Sequence, residues 1–99
     1  MSVDVPVGLP QNIAGYAFLL RLLAHCVNMQ AFELIGELGD THIYLSQIEG
    51  VREQLTRDPL PLSTLWLNPE KTDLFAFTMD DVKVLDYTHH DAIKYPVAV

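Results

Sequence analysis

Between Ile13 and Met29 every residue is apolar or small except Arg21, His25 and Asn28. Those three fall at i, i+4 and i+7, which on a helix is one narrow polar stripe. A helix that is apolar nearly all round is a helix buried on nearly all sides. This requirement constrains the rest of the fold, because a chain of 99 residues has little material with which to wrap it. The composition sharpens the conflict. Hydrophobic residues make up 49% of the chain, and the mean hydropathy is +0.17, rich for a small free-standing domain. The pattern therefore predicts apolar surface meant for another chain or a further segment. The three polar interruptions also disqualify the run as a membrane span.

Charge narrows the partners. Six Lys and Arg face 13 Asp and Glu, a net charge of −7. Neutralising a polyphosphate backbone or an anionic membrane needs clustered cations, so neither nucleic acid nor membrane is an expected partner. A pocket for one phosphate needs few cations and stays open. The one cysteine, Cys26, excludes an intramolecular disulfide and fits a reducing, cytoplasmic compartment. The opening MSVDVPVGLP has neither the basic nor the long apolar region of a signal peptide.

The remaining elements follow from periodicity. Val3, Val5 and Val7 alternate with Ser2, Asp4 and Pro6, a strand whose proline marks an edge or a bulge. A strand that begins at the second residue lacks the usual lead-in and suggests a chain cut at its front. Gly8-Leu9-Pro10 reads as a turn, and the helix is predicted from Asn12 to about Met29. Gln30–Leu38 reads as a strand, Gly39-Asp40-Thr41 as a turn, and His42-Ile43-Tyr44 as a short extended piece. Ser46 to Glu49 fits a capping box, opening a helix with Ile48, Val51 and Leu55 on one face and a Glu53–Arg57 pair. Pro59 and Pro61 stop it. Ser63–Leu67, Asp73–Phe77 and Val82–Leu85 are strand-like, and residues 88–99 form an irregular tail. The whole, residues 1–99, reads as a single α+β segment, with no linker or repeat.

Several residues carry chemistry. Asn12 is either a helix N-cap or an amide that pairs with the O4 and N3–H edge of a uracil ring, since it offers an acceptor and donors in one plane. Asp4 is either a solvated strand carboxylate or a ligand acceptor. His42 and Tyr44 are at i and i+2, so an extended backbone points both the same way, as an aromatic pair or as a grip on a sugar hydroxyl. Cys26, mid-helix among leucines, reads as core filling. His89-His90-Asp91 makes no metal site by its spacing, and there is no phosphate loop or nucleophile elbow. Neither a metal ligand nor a catalytic nucleophile is assigned.

In order along the chain, Ser2-Val3-Asp4, GLPQNIAGY, GDTHIY, Gln54-Leu55-Thr56-Arg57 and IKYPVAV resemble the thymidylate synthase family. There the matching stretches look like RSxDVxLGLPFNIASY, GDxHIYxNH, QLxREPxPLP and IKAPVAV. The resemblance covers all 99 residues, but only the last part of the family's length. It implies the C-terminal part of the thymidylate synthase/pyrimidine hydroxymethylase fold, a mixed sheet packed on a buried helix. The family's Pro-Cys-His nucleophile segment has no counterpart in these residues, and Met1 stands where the family has an arginine.

By resemblance, Ser2 would contact the dUMP phosphate, with Val3 and the Asp4 backbone near the nucleotide. Asp4 would also hydrogen-bond the pterin ring of the co-substrate 5,10-methylenetetrahydrofolate. Asn12 would read the uracil edge, and His42, Ile43 and Tyr44 would line the deoxyribose. Ala98, in the tail, would close over the folate. The implied partners are dUMP, folate, the N-terminal part of the same enzyme and a second synthase subunit. The implied reaction is methylation of dUMP, with hydroxymethylation of dUMP or dCMP, or an inactive interaction fragment, as alternatives. Gln11, Ser46-Gln47, Thr88-His89-His90-Asp91 and Tyr95 depart from the pattern, mostly on the folate side. The family's cytosine-specific hydroxymethylases carry an aspartate at the Asn12 position, so Asn12 favours a uracil nucleotide.

Overall fold

A computed structural model describes residues 2–96, and Ala98 therefore lies outside the described residues. The elements in order are β1 (Ser2–Asp4), α1 (Gly8–Cys26), β2 (Asp40–His42), α2 (Ile48–Leu55), β3 (Thr64–Leu67) and β4 (Val82–Leu85). They fall into two units. The first comprises residues up to Gly15, Ile35–Pro59 and the chain from His90 onward; the second comprises Tyr16–Leu34 and Leu60–His89.

In the first unit, β1 and β2 pair in parallel, with Ser2, Val3 and Asp4 opposite Asp40, Thr41 and His42. Alternation holds over β1: Val3 is buried, Ser2 is exposed and Asp4 is half-buried. The strand is shorter than the valine pattern predicts. It ends at Asp4, the last ladder contact is Val5 N–H donating to the His42 carbonyl at 3.0 Å, and Pro6 lies in the turn that follows. Proline has no N–H to extend the ladder.

Helix α1 begins at Gly8, four residues earlier than expected. Pro10 does not break it, because the N–H groups of a first helical turn have no intrahelical acceptor to lose. Asn12 is thus inside the helix and is not its N-cap. The capping box near α2 is also displaced. A 3-10 turn, Leu45–Gln47, precedes α2, and the Gln47 side chain accepts from Tyr44 N–H at 3.0 Å. The Glu53–Arg57 pair is present at 3.6 Å, an exposed contact of small energetic weight.

In the second unit α1 ends at Cys26, sooner than Met29. Asn28 adopts a left-handed backbone, φ 55. Met29 N–H reaches the Ala24 carbonyl at 2.8 Å, and Asn28 N–H reaches that of His25 at 3.4 Å. This is a Schellman closure with asparagine in glycine's usual place. Asn28 therefore serves the helix end as well as the polar stripe. Cys26 sits half-buried at the last helical position, not mid-helix.

Strands β3 and β4 are antiparallel, from Thr64 opposite Leu85 to Leu67 opposite Val82. Lys83 lies over the Trp66 ring, 5.0 Å from its centre. The segment Asp73–Phe77, expected extended, contains a 3-10 turn at Leu74–Ala76. The Asp73 carboxylate accepts from Phe75 N–H at 3.0 Å, the local side-chain bond by which aspartate competes with regular structure. Asp81 organises the connection back to β4. It accepts from the Asn68 amide at 2.8 Å and from Thr78 N–H at 2.9 Å, and pairs with Lys71 at 3.2 Å. The Asn68 bond above all, then the Thr78 backbone bond, holds the Asp81 carboxyl far below the usual carboxylate range.

Gln30–Leu38 is not a strand. Its alternation supplies a face, but among the described residues no strand pairs with it. Phe32 and Ile35 are 92% and 75% exposed. The buried apolar residues among those described are Val3, Leu22 and Leu67 alone. Leu22 is the one α1 residue among them, while Ile13, Tyr16, Leu19 and Leu23 are exposed. The sequence demanded more cover for α1 than the described residues provide.

Candidate functional site

The ligand-binding candidates meet in the first unit. Parallel register sets Asp4 directly beside His42 at the ends of β1 and β2. Beyond β2 the chain stays extended at Tyr44, φ −70 and ψ 148, so His42 and Tyr44 present their side chains to one side. Their rings meet edge-to-face with centres 5.0 Å apart. His42 Nδ1 also lies 3.5 Å from the Asp40 carboxylate. Ile43, between them, is exposed.

Gln47 ties these pieces together. It is 1% exposed, the most completely buried polar side chain of the unit. Its Nε2 donates to both Asp4 carboxylate oxygens, at 3.3 and 3.4 Å, while its Oε1 holds Tyr44 N–H at 3.0 Å. One amide thereby fixes an acid on β1 and the start of the turn after β2. The sequence pattern places a capping box here, but on Ser46 and Glu49, two residues later than the Tyr44–Gln47 box that forms. The Gln47–Asp4 bond spans 43 residues and leaves no local trace.

The start of α1 completes the arrangement. A Cβ at Gly8 would stand 3.7 Å from that of Asp4, in ordinary contact. Asn12 is one turn further on, on the same helix face as Gly8. It is half-buried, and among the described residues its amide has no hydrogen-bond partner. Ser2 is exposed at the start of β1. The unit thus gathers a carboxylate, an imidazole, a phenol, a hydroxyl and an uncommitted amide, donors and acceptors suited to a small polar ligand. Gln11 is exposed on α1.

Other polar groups serve structure. His25 Nε2 lies 3.0 and 2.9 Å from the carbonyls of Asn68 and Lys71, and Arg21 donates to the Leu65 carbonyl at 3.3 Å. These groups border an open groove of about 700 Å³ in the second unit, lined also by Trp66, Gln30 and Asn28. His90 Nε2 bonds the Asp58 carbonyl at 2.8 Å.

The family model for thymidylate synthase matches residues 1–99. The chain belongs to the thymidylate synthase family. It is 48% identical over 98 residues to a thymidylate synthase of Leuconostoc mesenteroides, covering 99% of this chain and 30% of that one. The thermostable thymidylate synthase A of Bacillus subtilis superposes with a TM-score of 0.94 at 36% identity, covering 99% of this chain and 35% of that one. The α+β fold is therefore that of a thymidylate synthase segment. The chain spans about a third of the length of these relatives.

Proposed function

We propose that this chain is the C-terminal part of a thymidylate synthase and supplies part of its dUMP and folate sites. The whole enzyme makes dTMP from dUMP and 5,10-methylenetetrahydrofolate, in the cytoplasm and as a dimer. The chain acts with the polypeptide that carries the nucleophilic cysteine and is inactive by itself. One observation carries this reading: Asp4 stands in register beside His42, with the Tyr44 ring against His42 and Gln47 locking Asp4 to Tyr44.

The roles are those that the family resemblance implies, and the donor and acceptor chemistry of these residues suits them. His42 and Tyr44 hold the 3′-hydroxyl of the deoxyribose, with Ile43 between them. Asn12 pairs with the uracil O4 and N3–H, which asks for one donor and one acceptor in a plane. Ser2 contacts the phosphate, and the backbone of Val3 and Asp4 runs beside the nucleotide. The pterin ring presents N–H donors, and the Asp4 carboxylate, half-buried and oriented by Gln47, is a fitting acceptor. The folate supplies the one-carbon unit. The residues of this chain orient the two reactants, which converts an encounter into a positioned one.

The test uses the chain combined with a segment that completes it. Binding of dUMP is compared with that of 2′,3′-dideoxyuridine monophosphate, in wild type and in a His42→Ala/Tyr44→Phe variant. Wild type should prefer dUMP roughly 5- to 150-fold, the worth of a lost site hydrogen bond, and the variant should lose that preference. Equal preference in both would remove His42 and Tyr44 from the sugar site.

A further inference from the structure

Tyr95 stands where the family pattern has a small alanine, and its bulk is housed by a glycine. Gly50, on α2, lies directly beneath the Tyr95 ring. A Cβ built on Gly50 would come within 2.6 Å of Cε1 and 3.1 Å of both Cδ1 and Cζ. At the ring's far end the Tyr95 hydroxyl donates to Gln54 Oε1 at 2.7 Å. Gly50 and Gln54 are one helical turn apart, so ring and hydroxyl engage a single face of α2.

The same segment is tied at its other end. Arg57 Nη1 donates to the Asp91 carbonyl at 2.6 Å, and His90 Nε2 bonds the Asp58 carbonyl at 2.8 Å. Arg57 and Asp58 lie just beyond the C-terminus of α2, whereas Gly50 lies near its start. Residues 90–95 thus run back along α2 as a strap without regular structure of its own. Side-chain contacts hold it, because no ladder does.

We infer that Tyr95 is a latch: its ring, seated on Gly50 and fastened to Gln54, holds the C-terminal strap against α2 before any ligand binds. Glycine in a helix interior is unfavourable relative to alanine. Its presence at position 50 is accounted for by the ring that needs the space. The latch belongs to the free chain and stands apart from the proposed activity.

Lys94 places a readout at the latch. Its side chain is exposed, so trypsin can reach the Lys94–Tyr95 bond when the strap lifts. Under limiting protease, cleavage follows the population of the open form. The experiment digests the full 99-residue chain and follows release of the peptide from Tyr95 onward by mass spectrometry, relative to cleavage at Lys83 in β4. Rates are normalised to the same bond in urea. Gly50→Ala leaves the scissile sequence intact and favours the helix, yet overpacks the ring seat. It should raise relative cleavage at Lys94 by roughly 5- to 150-fold, the range for overpacked contacts. Tyr95→Phe keeps the ring and loses the hydroxyl bond, for an increase of roughly fivefold. In a Tyr95→Ala background, Gly50→Ala should change nothing further. Unchanged relative cleavage in Gly50→Ala would overturn the latch. So would a rise shared equally by Lys83, or an undiminished Gly50→Ala effect without the tyrosine.

Discussion

Replacing Gln47 by leucine should loosen β1 from β2 while leaving β3 and β4 alone. Leucine is close to glutamine in size, so the change removes two polar functions and little volume. Tyr44 N–H then loses its acceptor at 3.0 Å beside a side chain that is 1% exposed. An orphaned donor of this kind costs about 1–3 kcal/mol. The Asp4 carboxylate also loses its donor. At 3.3 and 3.4 Å those contacts are long for a charge-assisted bond, so they add less than about 1 kcal/mol. A total near 2 kcal/mol corresponds to roughly a thirtyfold larger open population. Hydrogen-exchange mass spectrometry reads it directly, because Val5 N–H is held by the His42 carbonyl. Peptides covering residues 2–5 should exchange about thirtyfold faster than in wild type, with peptides from β3 and β4 unchanged. Gln47→Glu should be at least as disruptive, since it sets a second carboxylate against Asp4. Unaltered exchange in residues 2–5, or equal acceleration in both units, would refute the clamp.

Three further outcomes are expected. In a completed enzyme, Asn12→Asp should shift preference from dUMP toward dCMP by roughly 5- to 150-fold, measured as a ratio of dissociation constants; an unchanged ratio would leave Asn12 without a role in base choice. Asp81, whose carboxyl is held low chiefly by the Asn68 amide, binds a proton more readily unfolded than folded. Its stabilisation is therefore complete above the unfolded carboxylate value and is lost as pH falls below about 4. Trp66 fluorescence should report acid unfolding of the second unit over that range, and Asp81→Asn should be less stable at neutral pH with a flatter acid limb. The isolated chain should self-associate in light scattering, because Phe32, Ile35, Ile13 and Tyr16 are exposed together with much of α1; a sharply melting monomer would contradict that.

Much of this was legible in the sequence where one local rule acted alone. Strand β4 matches its valine-leucine pattern, β3 is one residue shorter than expected, and the Glu53–Arg57 pair forms at its helical spacing. The His42–Tyr44 pairing follows from two-residue alternation and the extended backbone. The misread elements are those where two rules competed. Pro10 is a breaker inside a helix and acceptable in its first turn; Asp73 sits in an apolar alternating run but bonds Phe75 N–H instead. Gln30–Leu38 has a strand's alternation, yet a strand is made by its neighbour as much as by itself. Asn12 was legible as a residue with ligand chemistry but not as a helix-interior one. The Gln47–Asp4 bond and the Tyr95 seat on Gly50 join residues 43 and 45 apart in the chain, beyond any periodicity.

If these residues form one part of a synthase that works only when completed, activity should appear when the remaining part is supplied. The direct measurement mixes the chain with the portion of the Leuconostoc mesenteroides enzyme that it does not cover, and supplies dUMP and 5,10-methylenetetrahydrofolate. The two segments of the Leuconostoc mesenteroides enzyme itself serve as the positive control. Dihydrofolate absorbance follows turnover, and the mass of the nucleotide product separates methylation from hydroxymethylation. The mixture should yield dTMP and the chain alone none. Turnover by the chain alone would contradict this. So would a silent mixture beside an active control, or a product carrying a hydroxymethyl group.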